Sequence, residues 1–395
     1  MNAKPATDVR LLPTAIAGAI AMASAMGFGR FSFTPILPGM MDGLPLSSSD
    51  AGLIAAGNFA GYLAGAVLGA YGWATGRERL VGLAALLATA LLQLAMGVTS
   101  TVWLFIAIRF LAGVASAFAM IFISSIVLGH ASARGRAGDD AQSTHFGGVG
   151  LGIALSALVV VTLGSILGPG DSTWRTEWFA GGLVSLVMLV VVWWLLPPSP
   201  PRSSQPTREP PLEWGRPVVL TTLSYGLFGF GYVITATFVV TMARMGNAGP
   251  WVEFLTWFLA GLAASVSIFA WRPLMLRFGL QGVFVAGLLV EAAGVLASAV
   301  LPLPYAPLVG GVLLGATFMM ITAYGLRIGR ALSPASPRRA LAFMTAAFGL
   351  GQILGPLVAG ALAETTGSFA LPSVVAALVL LAAVVVFLPV YRRIP

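Results

Sequence analysis

Residues 27–41 read GFGRFSFTPILPGMM. The stretch lies in the first long apolar run of the chain, and it contains a full positive charge, Arg30. Arg30 stands about 15–20 residues into that run, which puts it at hydrocarbon depth if the run is a helix crossing a bilayer. An arginine there costs about 2.5–3.5 kcal/mol on insertion scales. Two arrangements meet that cost. The side chain can snorkel or tie itself to backbone carbonyls, or it can face a protein interior or wet cavity and serve a substrate or ion.

The rest of the chain has the same character. Of 395 residues, 58% are hydrophobic and only 9% charged, whereas soluble domains carry about 25% charged residues. Twelve apolar runs follow one another, near 12–41, 50–73, 79–98, 101–129, 141–168, 174–197, 216–243, 251–272, 279–300, 305–330, 340–363 and 370–391. Each is long enough to cross a bilayer as a helix, so the expected fold is an all-α membrane protein with twelve transmembrane helices. The first run is too long for a signal-peptide core and reads as a retained helix. There are no cysteines, which excludes disulfides, thiolate metal sites and thiol chemistry. The net charge of +8 comes from arginines in short loops, a topology signal and not a nucleic-acid surface.

Residues 198–215, PSPPRSSQPTREPPLEWG, form the longest connection. Their proline-rich, polar composition predicts an extended linker without a core. It separates a half of six segments, 1–197, from a second half, 216–395. With the N-terminus inside, Lys4, Arg10, Arg77, Arg79, Arg134, Arg136, Arg202, Arg208, Arg216, Arg272, Arg277, Arg327, Arg330, Arg338, Arg339, Arg392 and Arg393 fall on one side, and Arg175 and Arg244 on the other. That asymmetry predicts cytoplasmic termini. The halves repeat at an offset near 200 residues. GFG at Gly27 to Gly29 recurs at Gly229 to Gly231, with Tyr232 in place of Arg30. GLG at 150–152 recurs at 349–351, and Arg77 and Gly82 line up with Arg277 and Gly282. Such pseudo-symmetric halves are a common plan for secondary transporters.

The second segment carries Gly57, Gly61, Gly65 and Gly69 at four-residue spacing. This builds a small-residue face for close helix packing, expected against a helix of the other half. The glycine-rich fifth and eleventh segments are expected at the seam between halves as well. Asn58 and Tyr62 flank the stripe, and either reach a cavity or bond across helices. The following turn reads GAYGWATGRERL, 69–80, and the fourth segment contains RFLAG, 109–113. With the twelve spans and the duplication, these stretches resemble the major facilitator superfamily. Gly69, Gly76 and Arg77 match that family's G-x-x-x-D-R-x-G-R gating loop, and Arg109 and Gly113 its fourth-helix R-x-x-x-G. The sequence departs from the pattern at Trp73, where an aspartate is usual, at Ala74, where a basic residue is usual, and at Ala112, where a glutamine is common. The opening stretch, LSSSDAGLIAAGNFAGYLAGAVLGA and HFGGVGLGIALSAL resemble the YbfB/YjiJ-type branch. The resemblance covers essentially the whole chain.

It implies a fold of two pseudo-symmetric six-helix halves whose first, fourth, seventh and tenth helices line a central cavity. Arg30 and Arg109 would then sit in that cavity, with Tyr225, Tyr232, Thr235, Thr317 and Tyr324 on the facing half. Guanidinium groups among hydroxyls and aromatic rings suit a carboxylate. The candidate substrate-binding set is Arg30, Arg109, Asn58, Tyr62, Tyr232, Tyr324 and Gln352. Arg109 can alternatively be a structural or gating group. His145, read as beginning the fifth segment near the membrane surface, and Glu291, in the middle of the ninth, are candidates for proton coupling. Each can instead be structural. Asp50, after Ser47 to Ser49, reads as a helix N-terminal cap or first-turn charge.

The expected function is secondary active transport of a small organic solute, an organic anion first, proton-coupled and by alternating access. The alternative is proton-antiport export of amphiphilic compounds or metabolites. An intramembrane enzyme or sensor is disfavoured by the absence of cysteine, by having only two histidines, His130 and His145, and by the lack of a clustered acid pair within the spans. No cofactor, metal or nucleic-acid partner is expected. The expected partners are the substrate, a proton and the lipid bilayer, for a monomer in a bacterial inner membrane.

Overall fold

The computed structural model describes residues 11–132, 134–168, 170, 172–200 and 209–391. Lys4, Arg10, Arg202, Arg208, Arg392 and Arg393 lie outside the described residues. Twelve long helices account for nearly all of what is described. They are α1 (Leu11–Gly43), α2 (Ser48–Ala70), α3 (Glu78–Val98), α4 (Val102–Ala131), α5 (Gly135–Leu167), α6 (Thr173–Leu195) and α7 (Arg216–Met245). A helical run Pro250–Val300 follows, and it turns at Gly279, whose φ of 71° and ψ of 171° are not helical. Only glycine takes that conformation readily, so the run is two spans, α8 (250–278) and α9 (280–300). The last three are α10 (Tyr305–Leu332), α11 (Pro337–Thr366) and α12 (Ala370–Val390).

Helix ends extend beyond the apolar runs wherever the flanking residues are polar but helix-compatible. α5 starts at Gly135, six residues before its apolar run. His145 is therefore about 15 Å along the helix and fully buried, not at the surface. Asp50 closes a reciprocal cap on α2: its N–H donates to Ser47 Oγ (3.1 Å) and Ser47 N–H donates to the Asp50 carboxylate (3.0 Å), which satisfies two helix-end donors.

α1 is not a uniform helix. Ala23–Phe31 winds as a wide π-helical turn, and Pro35 and Pro38 follow. Pro35 has no N–H to give to the carbonyls four and five residues back, those of Phe31 and Arg30. The sequence ASAMGFGRF thus opens its own backbone within a membrane-length helix, where unpaired carbonyls are costly.

Glycines decide which helices touch. The α2 stripe packs within its own half and not across the seam, contrary to expectation. A Cβ at Gly57 would meet Ile106, at Gly61 the Phe110 carbonyl, at Gly65 Val114 and Ala117, and at Gly69 Ile121, all on α4. Gly113 of α4 returns the contact to Asn58 and Tyr62. The spacing specified a close-packing face, and its partner is the neighbour that offers a matching glycine. α5 and α11 do lie at the seam, with glycines on two faces. Gly150 meets Gly261 of α8 and Gly349 meets Leu63 of α2, each across the halves. Gly152 meets Ala23 of α1 and Gly351 meets Gly226 of α7, each within a half. The two GLG repeats therefore do equivalent work, as pseudo-symmetry requires.

The ends of the bundle are joined differently. At one end Arg244 of α7 binds Asp42 of α1 at 2.5 Å, Ser49 N–H donates to Glu364 of α11 at 3.0 Å, and Thr34 donates to the Ala236 carbonyl at 2.6 Å. At the arginine-rich end Arg272 approaches Asp139 and Asp140 only to 3.9 and 3.8 Å. The described part of the linker is not coreless as expected. Leu212 packs with Val218 and Ala340, and Glu209 accepts the N–H groups of Arg338 (3.0 Å) and Arg339 (3.3 Å) at the start of α11. An acid on free helix N–H groups is favourable.

Candidate functional site

The wide turn of α1 aims Arg30 into the first half. Its guanidinium carbon lies 4.3 Å from the centre of the Tyr62 ring and 4.7 Å from that of Phe59, both on α2. Arg30 is only 4% exposed. Its Nε and Nη2 have no hydrogen-bond acceptor, and no carboxylate among the described residues pairs with it. Ring faces offset part of the charge's desolvation, about 2 kcal/mol when water is excluded, but they leave its N–H groups unsatisfied. The site thus has a fixed donor fork with open valence.

Arg109 is different. Its Nη1 donates to the Gly29 carbonyl at 2.9 Å and its Nη2 to the Arg30 carbonyl at 2.7 Å. These are carbonyls of the opened α1 turn. Asn58 in turn donates from Nδ2 to the Arg109 carbonyl at 2.9 Å, and the Tyr62 hydroxyl reaches Met120 Sδ at 2.8 Å. Two expected ligands, Arg109 and Asn58, thus tie α4 to α1 and α2 and hold the backbone that presents Arg30. Each keeps one free polar atom, Arg109 Nε and Asn58 Oδ1.

The second half presents aromatic faces. Tyr232 stacks on Phe228, Phe318 and Phe348 at 5.0, 5.9 and 5.6 Å. Phe31, next to Arg30, reaches Phe318 at 6.0 Å. Gln352 of α11 donates to the Tyr232 hydroxyl, and its Oε1 has no partner. Tyr232 lies within electrostatic reach of both Arg30 and Tyr62. Arg30, Tyr62, Tyr232 and Gln352 therefore form one neighbourhood across the seam. Tyr324 stands apart, under Arg327 at 5.7 Å. Thr317 turns away from the seam to Glu291 of α9.

Glu291 is fully buried, and its Oε1 has no partner. The Thr317 hydroxyl also lies 2.6 Å from the Leu313 carbonyl. His145 contacts Ser124 Oγ through Nε2 at 2.8 Å and packs on Gly18 of α1. Gly69, in the last turn of α2, packs on α4; in the loop that follows Gly76 has a φ of 78°, and Arg77 stands at the N-cap of α3. Trp73, at the usual aspartate position, packs edge-to-face with Phe118 and Phe122 of α4 at 5.6 and 5.7 Å. An apolar contact stands where the family pattern has a charge.

Sequence reasoning missed Phe59, Phe318 and Phe348. A phenylalanine in an apolar run carries no local sign that it borders a site. It also missed Arg244 as a bridge between halves, although an arginine at the sparsely charged end was a usable signal.

A family model described as "Uncharacterised MFS-type transporter YbfB" matches residues 22–388. No curated relative matches the sequence. Among solved structures, a point mutant of the nucleoside transporter NupG aligns with a TM-score of 0.76 at 14% identity, covering 97% of this chain and 100% of that one. A bacterial homologue of the human lysosomal transporter Spinster, inward-facing and unoccupied, aligns at 0.69 and 14%, covering 98% and 96%. At such identity the likeness is one of fold.

Proposed function

The chain belongs to the YbfB-type family of major facilitator transporters, and we propose that it carries a small organic anion by proton-coupled alternating access. It is a membrane transporter and not an enzyme. The observation that carries the anion reading is Arg30. It is buried, without a carboxylate partner and held against rings, with two nitrogens lacking an acceptor. A carboxylate completes that donor set bidentately. Stacked Tyr232, Phe228, Phe318 and Phe348 favour a flat ring on the same solute. Entry to so enclosed a site requires the halves, 1–197 and 216–395, to part about the 198–215 linker.

For the coupling ion, Glu291 is the better supported of the two candidates. A threonine hydroxyl has one proton, and Thr317 cannot donate to both Leu313 and Glu291. A protonated Glu291 donating to Thr317 satisfies the pair. Cytoplasmic termini, a bacterial inner membrane and a monomer complete the reading, with the arginine asymmetry as support for orientation.

The test is a ligand-stability screen of purified protein with carboxylates, amino-acid derivatives and hydrophobic cations side by side. An anion should stabilise the wild type and lose its effect in Arg30→Ala. Arg30→Lys should rescue poorly, since a point charge does not reproduce the fork. If only a cation binds, or Arg30→Ala binds the anion at full strength, the anion reading fails. The aromatic wall would then favour an exporter of amphiphilic compounds.

A further inference from the structure

Arg244 joins the halves at its end of the bundle, and each of its three nitrogens is engaged. Nε and Nη2 bind the two Glu253 oxygens at 2.6 Å each, and Nη1 binds Asp42 at 2.5 Å. A third carboxyl stands beside this pair. Glu177 of α6 is only 7% exposed and lies within electrostatic reach of Arg244 and Glu253. It has no hydrogen bond to a described residue, and its Oε2 is near Gly39 of α1.

No spare cation serves Glu177. Arg175, on the same helix, gives its Nη1 to the Gly97 and Thr99 carbonyls at 2.8 and 3.1 Å and stacks on Trp174. Arg109, near Trp178, is held by α1 carbonyls. The ionisable groups acting on Glu177 from other elements are Arg244 and Glu253, with Asp42 joined to them through Arg244. The helices packed beside α6 on its other flanks, α3 and α5, carry their ionisable residues toward the opposite end. A buried carboxylate without a hydrogen-bond donor is costly; the attraction of Arg244, already held by two other carboxylates, offsets part of that cost, and the neighbouring Glu253 adds repulsion. A proton on Glu177 removes both costs while this end is closed. Opening would draw Asp42 away from Arg244 and admit water, which stabilises the ionised form.

We propose that Glu177 is a proton-binding site that seals the Arg244 end of the transporter when protonated and releases it when ionised. Its place in transport rests on the proton-coupled reading, but the gate itself is measurable without a substrate. Closing takes up one proton from water and opening returns it. The closed-to-open ratio should therefore fall by up to about tenfold per pH unit over the responsive window.

The chain has no cysteine, so two spin labels can be placed at Pro45 and Asn247, exposed positions at this end on opposite halves. Distances by double electron–electron resonance on full-length reconstituted protein should lengthen as pH rises. Glu177→Gln should stay at the closed distance throughout, and Glu209→Gln, at the opposite end of the bundle, should keep the pH response. A wild type that does not respond overturns the proposal. So does a Glu177→Gln variant that responds normally, or a response lost equally in Glu209→Gln. If Glu177→Gln does not fold, Glu177→Asp with infrared titration replaces it. A protonated carboxyl band of the wild type must then shift in the variant, and an unmoved band overturns the proposal. Proton-driven flux is measured separately. Its absence beside an intact pH response would sink the coupling reading alone.

Discussion

Arg30→Ala and Arg109→Ala remove the same group from the same depth, and the structure predicts opposite consequences. The relief from withdrawing a charge, about 2.5–3.5 kcal/mol on the insertion scale, is common to both and cancels in the comparison. Arg30→Ala then loses ring stacking, about 2 kcal/mol at most for a desolvated cation, and strands no backbone carbonyl. Arg109→Ala strands the carbonyls of Gly29 and Arg30, about 1–3 kcal/mol each when buried. Arg109→Ala should therefore be the less stable variant, by about 2 kcal/mol and by up to about 4. Arg30→Ala should be close to wild type. The assay is reversible unfolding in one detergent, paired with thermal melts of the three proteins. Equal destabilisation would mean that Arg30 is a structural residue, and would refute the distinction between a presenting and a presented arginine. Arg109→Lys should recover part of the loss, because an ammonium can reach one carbonyl but not grip two.

Other expectations follow from the same contacts. Gly61→Leu should block folding of the first half by driving α2 off α4, visible as lost expression or a collapsed melting transition. Normal expression would place that face elsewhere. Glu209→Ala should lower stability by about 1 kcal/mol through loss of the α11 cap, and Glu209→Asp by less. Glu291→Gln should retain substrate exchange in vesicles but lose accumulation driven by a proton gradient, and unimpaired accumulation would remove Glu291 from the coupling. A cysteine at Asn247 should react with an impermeant thiol reagent on intact cells while one at Ser203 resists, and the reverse pattern would invert the orientation.

Twelve spans, the duplication and the polar interruption at Arg30 were legible in the chain itself, because bilayer crossing depends on apolar residues summed over about twenty consecutive positions. The matched GLG motifs likewise pointed to equivalent helices, and the structure gives them equivalent contacts. The family resemblance rested on the same local stretches and is met by the family match. Partners were not legible. The α2 glycines declared a close-packing face, but Gly113, some fifty residues on, decided that α4 would occupy it. Arg30 and Arg109 looked alike as charges in apolar runs. Only the folded chain brings the opened α1 carbonyls to Arg109 and ring faces to Arg30. Glu177 carried no signal, since a carboxyl near a helix start is ordinary until its neighbours are known. Helix formation and membrane insertion are set by residues near in sequence, whereas the protonation, pairing and availability of a buried charge are set by whatever packing brings within a few ångströms of it.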